Sequence, residues 1–85
     1  MKTFNYIIKD KEGIHARPAG IIVAEAKKYA SNITITNKGK SADLKRIFAV
    51  MGLCVKGGEE VTINAIGSDE EDAINGLKAS FEKNL

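Results

Sequence analysis

Seven consecutive residues, Gly13-Ile14-His15-Ala16-Arg17-Pro18-Ala19, hold the chain's only histidine, its only proline and one of its two arginines. Imidazole is the one side chain that serves as a neutral nucleophile near pH 7 without tuning. Proline suits the first turn of a helix, where its missing N–H is no loss. That same turn exposes unpaired backbone N–H groups at the positive end of the helix dipole, here those of about Ala16 and Arg17. The Arg17 guanidinium adds a planar fork of donors matched to phosphate. Taken singly, His15 reads as a surface or capping residue, Arg17 as a surface cation and Pro18 as a helix start. Together they read as a nucleophile set into an oxyanion cradle.

The elements that must position this segment follow from periodicity. Thr3 to Ile8 alternates, with Phe4, Tyr6 and Ile8 on one face, and predicts a strand. Lys9 to Gly13 is a polar loop. Ala19, Ile22, Val23, Ala26 and Ala30 then follow a helical stripe, which Ser31-Asn32 breaks. The β-branched run Ile33-Thr34-Ile35-Thr36 predicts a strand. Asn37-Lys38-Gly39 signals a hairpin into a shorter strand reaching about Asp43. Leu44 to Val55 fits a helical face through Leu44, Ile47, Phe48, Met51 and Val55, yet is apolar on other sides as well. A helix of that kind is buried on one side and used for contact on another. Val61, Ile63 and Ala65 alternate as a strand. Ser68-Asp69-Glu70-Glu71 reads as a capping box, with Ser68 at the N-cap and Glu71 reaching back, ahead of a helix that buries Ala73, Ile74, Leu77 and Phe81. The order β-α-β-β-α-β-α predicts an α+β domain with helices on one face of a four-stranded, mostly antiparallel sheet.

Composition narrows the function classes. Eighty-five residues make one domain, residues 1–85, and a chain of this size buries only about 60–65% of its unfolded surface. No apolar run is long enough to span a membrane, and no secretory signal pattern opens the chain. One cysteine, Cys54, excludes an internal disulfide and fits a reducing cytoplasm. A net charge of +2 with dispersed lysines gives no footprint for nucleic acid. One histidine and one cysteine do not assemble a zinc site, and no cofactor motif is present.

The heptapeptide resembles the active-site signature of the HPr family, the histidine phosphocarriers of the bacterial phosphoenolpyruvate-dependent sugar phosphotransferase system. The resemblance continues through Asn37-Lys38-Gly39-Lys40, Leu44 to Met51, and Gly67-Ser68-Asp69-Glu70-Glu71-Asp72-Ala73, and so covers essentially the whole chain. It implies an open-faced β-sandwich of four antiparallel strands and three helices. It implies that His15 accepts a phosphoryl group on Nδ1 from enzyme I and passes it to enzyme IIA domains of sugar permeases, with Arg17 and the N–H groups of Ala16 and Arg17 stabilising its oxygens. The protein would then be a cytoplasmic, monomeric carrier and not an autonomous enzyme, needing no cofactor. Partner docking would use the first two helices through Gly20, Ile21, Ile47, Phe48 and Met51, with Leu44, Val50 and Leu53 left for the core. Lys27, Lys45 and Arg46 would form a basic rim that speeds encounter with acidic partners.

Two positions depart from the family pattern. The second helix usually begins with a serine, which a regulatory kinase modifies in Gram-positive relatives; this chain has Arg46 and therefore no seryl site there. Arginine is also a poor N-cap, a deficit that Asp43 or Ser41 would have to offset. Cys54 replaces a usually small residue and reads as a small buried side chain rather than a redox group. Two other functions remain in view at this stage. One is a regulatory module whose phosphorylated His15 signals to a regulator or a non-sugar branch; the other is a structural domain in which His15 only caps a helix.

Overall fold

A computed structural model describes residues 1–85. The chain runs β1 (Lys2–Ile7), α1 (Ala16–Ala26), β2 (Asn32–Asn37), β3 (Lys40–Asp43), α2 (Ile47–Gly52), β4 (Glu60–Ile66) and α3 (Glu70–Asn84). The strands form one antiparallel sheet in the order β1-β4-β2-β3. All three helices cover one face, giving the open-faced β-sandwich expected from the sequence.

Strand alternation divides the two faces. Ile33 and Ile35 of β2 and Val61, Ile63 and Ala65 of β4 point inward and are fully buried. In register, Phe4 sits opposite Ile63 and Tyr6 opposite Val61. From above, α1 contributes Ala19, Ile22, Val23 and Ala26, α2 contributes Val50, and α3 contributes Ala73, Leu77 and Phe81. The Phe81 ring meets Phe4 and Tyr6 edge-on, with centroids 5.7 and 5.6 Å apart, a favoured aromatic geometry. The outer face carries hydroxyl and amide side chains paired across strands. Thr3 donates to Asn64 and Thr62 to Asn5, while Thr36 and Ser41 pair with each other.

The hairpin between β2 and β3 turns at Lys38 and Gly39, both at positive φ (52° and 80°). That is the backbone of a two-residue hairpin loop whose twist matches the strands it joins. Asn37 is buried, and its amide donates to the Glu60 carbonyl at 3.1 Å, pinning the hairpin to β4.

Four expectations need correction. The helical stripe of the first helix stops at Ala26, and Ala30 lies exposed beyond it. The apolar run from Leu44 is helical only over six residues, because Leu44 lies in the turn that follows β3 and is still tied to β2: its N–H donates to the Ile33 carbonyl at 2.9 Å. Cys54 is exposed rather than buried, just past α2 at a φ of 52°. A left-handed backbone of this kind costs an L-residue about 1–2 kcal/mol, because its Cβ approaches the following carbonyl oxygen.

The start of α3 is the fourth. Asp69, not Ser68, holds the N-cap, and Glu70, not Glu71, reaches back, its carboxylate accepting the Gly67 N–H at 3.1 Å. Glu71 instead lies beside Lys2, 3.8 Å from its ammonium. The Asp69 carboxylate leaves its own helix to accept the N–H groups of Ala30 (2.8 Å) and Ser31 (2.9 Å) and the Ser31 hydroxyl. Ser31 is buried, so this carboxylate closes the α1–β2 connection against α3.

The Ser31 hydroxyl, and then the backbone donors, hold the Asp69 carboxyl below the usual carboxylate range. A depressed folded value means that the anion contributes stability above the unfolded value and loses it as pH falls through the folded one. Asp69→Asn is therefore expected to lower the urea midpoint at neutral pH. The gap to wild type should close in acid, and a gap independent of pH would refute this account.

Candidate functional site

Two loops packed backbone against backbone set the floor of the site. The Gly58 N–H donates to the Ile8 carbonyl at 2.8 Å, and the Ile14 N–H donates to the Val55 carbonyl at 3.1 Å. Between these ties the chain turns, with the Gly13 N–H on the Asp10 carbonyl at 3.0 Å. Gly13 is required here twice over. Its φ is 69°, and a Cβ on it would stand 2.1 Å from the Val55 oxygen. Gly57 answers from the other loop, where a Cβ would stand 2.5 Å from the Asp10 oxygen.

This floor delivers His15 to the N-cap of α1 in extended conformation (φ −101°, ψ −179°). Its carbonyl accepts the Ala19 N–H at 2.9 Å, but its side chain makes no capping bond. The His15 side chain is therefore not the cap of the helix: the backbone starts it, and the ring is left to other contacts. Pro18, buried at the third helical position, has no N–H to offer. The unpaired donors of the turn are thus those of Ala16 and Arg17, as the sequence suggested. The Arg17 side chain is exposed and has no carboxylate within ion-pair distance, so its fork is open to an anion.

Sequence reasoning missed Asp10. Its Oδ2 lies 3.3 Å from His15 Nε2, while its Oδ1 accepts the Glu12 N–H at 2.9 Å. The Glu12 N–H, and next His15, hold the Asp10 carboxyl below the usual range. The ring and the carboxylate are both about one-third exposed (37% and 30%). An Asp followed three residues later by Gly is a turn signature, so the Asp10–Gly13 turn was readable in the sequence. The reach of its side chain across the turn to His15 was not. The turn also brings ligand atoms of Asp10, Glu12 and His15 within 4.8 Å of one another, a grouping that a search among histidine and cysteine alone overlooks.

The predicted docking residues separate into grades. Phe48 is 85% exposed, whereas Ile47 and Met51 are half-buried and pack on the core. A Cβ at Gly20 would stand 3.9 Å from Ile47 Cδ1, so α1 and α2 meet at this point. Leu44 and Val50 are buried and Leu53 partly so, as a core role for them requires. Ile21 lines a groove between α1 and α3 with Glu25, Gly76, Ser80 and Lys83. Lys27 and Arg46 are exposed. Lys45 is not part of a free rim: its ammonium donates to the Tyr29 carbonyl at 2.7 Å, at the far end of α1. Before α2, the Asp43 carboxylate accepts the Lys45 N–H at 2.9 Å and its carbonyl the Arg46 N–H at 3.0 Å. These bonds order the turn but do not reach the first N–H groups of the helix, so the side-chain cap that Arg46 lacks is not replaced. No helix is long and apolar enough to cross a membrane.

Residues 2–83 match the family described as PTS HPr component phosphorylation site. The phosphocarrier protein HPr of Mycoplasma capricolum subsp. capricolum is 47% identical over 81 residues, spanning 95% of this chain and 91% of that protein. That of Mycoplasma pneumoniae is 43% identical over 84 residues, spanning 98% and 96%. A solved histidine-containing phosphocarrier protein of Mycoplasma superposes with a TM-score of 0.95 at 44% identity, covering 96% of this chain and 93% of its own.

Proposed function

The chain belongs to the HPr family of phosphocarrier proteins, and from that premise we propose that His15 is the residue that carries the phosphoryl group. The protein shuttles phosphate from enzyme I to enzyme IIA components of the phosphotransferase system through a phosphohistidine, without being a catalyst in its own right. One observation carries the assignment to His15. The chain has a single histidine, and it stands at a helix start beside two unpaired N–H groups and an unpaired arginine.

In the reaction, the Nδ1 lone pair attacks phosphorus as the bond from phosphorus to the donor breaks and its electron pair returns to the donor. Charge spreads over the three equatorial oxygens, and there is little covalent work beyond positioning. The Ala16 and Arg17 N–H groups and the Arg17 guanidinium meet those oxygens with directed hydrogen bonds. A dipole and one arginine hold the group loosely enough for the next protein to take it.

Incubating the protein with phosphoenolpyruvate and enzyme I tests this. One phosphoryl group, lost in mild acid, should appear on the peptide that contains His15. No uptake, or an acid-stable phosphate, would overturn the assignment.

The docking surface on this reading is Phe48 with Ile47, Met51 and Gly20 around it, flanked by Ile21, Lys27 and Arg46. An aromatic ring exposed this far gains by burial against a partner. Phe48→Ala should weaken productive encounter about tenfold, the size of one interface anchor, with an unchanged thermal midpoint. Transfer at the wild-type rate would take α2 out of the interface. Arg46 offers no hydroxyl to a seryl kinase, so the proposed carrier works in the cytoplasm without that switch at this position.

A further inference from the structure

We propose that Asp10 is a positioning residue for phosphoryl transfer: it holds the proton of His15 on Nε2 and thereby presents Nδ1 as the unprotonated nucleophile. The inference rests on His15 being the phosphorylated residue. A carboxylate can only accept, so the ring nitrogen that faces Asp10 Oδ2 at 3.3 Å must be the one that bears hydrogen. The other tautomer would set a lone pair against a negative oxygen. In the neutral ring, a proton on Nε2 leaves the Nδ1 pair free, and no group of this chain hydrogen-bonds Nδ1.

Asp10 is itself held. Its second oxygen accepts the Glu12 N–H, its carbonyl accepts the Gly13 N–H, and Gly57 lies so near that carbonyl that a Cβ there would clash with it. A carboxylate fixed in this way orients an imidazole as outer partners orient metal-bound histidines. It also bears on both halves of the shuttle. When Nδ1 bonds to phosphorus, the ring becomes a cation with its proton still on Nε2, facing the Asp10 anion. When the next acceptor takes the phosphoryl group, the N–P electron pair returns to Nδ1 and the neutral ring is restored. The proton stays where it was throughout, so neither half requires a proton transfer.

The test combines nitrogen-15 NMR of the His15 ring, at a pH where it is neutral, with the rate of phosphorylation by enzyme I. Wild type should show the Nε2–H tautomer almost alone. Asp10→Ala should restore a mixture and slow phosphorylation about tenfold, as loss of an outer orienting partner does. Asp10→Asn has only one acceptor oxygen. With it on the Glu12 N–H, the NH2 group faces Nε2 and favours a proton on Nδ1, so this variant should move the tautomer ratio at least as far as Asp10→Ala does. A role confined to shaping the loop would change the rate in Asp10→Ala without moving the tautomer ratio, and that result overturns the proposal. So does a wild-type ring protonated on Nδ1, or a wild-type rate in Asp10→Ala. These failures are separate from failure of the parent reading, which shows as phosphate on a residue other than His15.

Discussion

A His15→Ala variant is expected to take up no phosphoryl group from enzyme I while folding as wild type does. The loss should be complete because nothing in the chain can substitute: there is no second histidine. Hydroxyls near the helix start are not supplied either, since the residues from Gly13 to Gly20 include no serine, threonine or tyrosine. Retained folding follows from the local geometry. The ring makes no capping bond, and the contact it loses, to Asp10, joins two partly exposed side chains, the kind of pair that contributes little to stability. Mass spectrometry before and after mild acid reads the first outcome, and circular dichroism with a urea titration reads the second. Phosphorylation of the variant would move the carrier role away from position 15.

The second large effect falls on stability. Gly13→Ala is expected to cost about 2–4 kcal/mol, the sum of a left-handed residue that acquires a Cβ and a clash in a packed site. For a domain of this size that lowers the thermal midpoint by roughly 10–25 °C. The clash is against backbone, with Val55 O at 2.1 Å and Lys56 Cα at 2.8 Å, so no side chain can swing away. Relief requires parting the two loops, which would break the bond from the Ile14 N–H to Val55 and shift His15 with it. Gly39→Ala is the matched control. It has a similar φ, 80°, but nothing within 4 Å of the added carbon, so it should bear only the conformational part, about 1–2 kcal/mol. Equal losses for the two variants would show that loop contact contributes nothing.

Much of this architecture is legible from local pattern. The alternation of Phe4, Tyr6 and Ile8, the β-branched run from Ile33 and the turn at Lys38-Gly39 each encode their element within a few residues. The unpaired N–H groups of Ala16 and Arg17 were legible too, because Pro18 marks the helix start and removes the next donor. What stayed hidden depends on side chains that leave their own segment. Asp69 looks like part of a local cap, but its carboxylate goes to Ala30 and Ser31, which the fold brings to it from far along the chain. Asp10 lies only five residues from His15 and the turn between them is readable, yet the reach of its carboxylate back to the ring is not. Leu44 is apolar at helical spacing from Phe48 and Met51, and only the bond from its N–H to Ile33 shows that it stays tied to β2 in the turn before the helix. Cys54 suggested burial by residue type, and the left-handed turn after α2 sends it outward instead.

The bond from the Lys45 ammonium to the Tyr29 carbonyl, spanning 2.7 Å, has a consequence for traffic. It ties the approach to α2 to the segment just beyond α1, while the Ile47 side chain faces Gly20 nearer the middle of that helix. These two contacts join the helices into one plate, with the ring proposed to carry the phosphoryl group at its edge. Donor and acceptor proteins that both need that ring must use the plate in turn, as rivals for one berth. Throughput then depends on how fast each visitor departs, and an acceptor that lingers obstructs the next delivery.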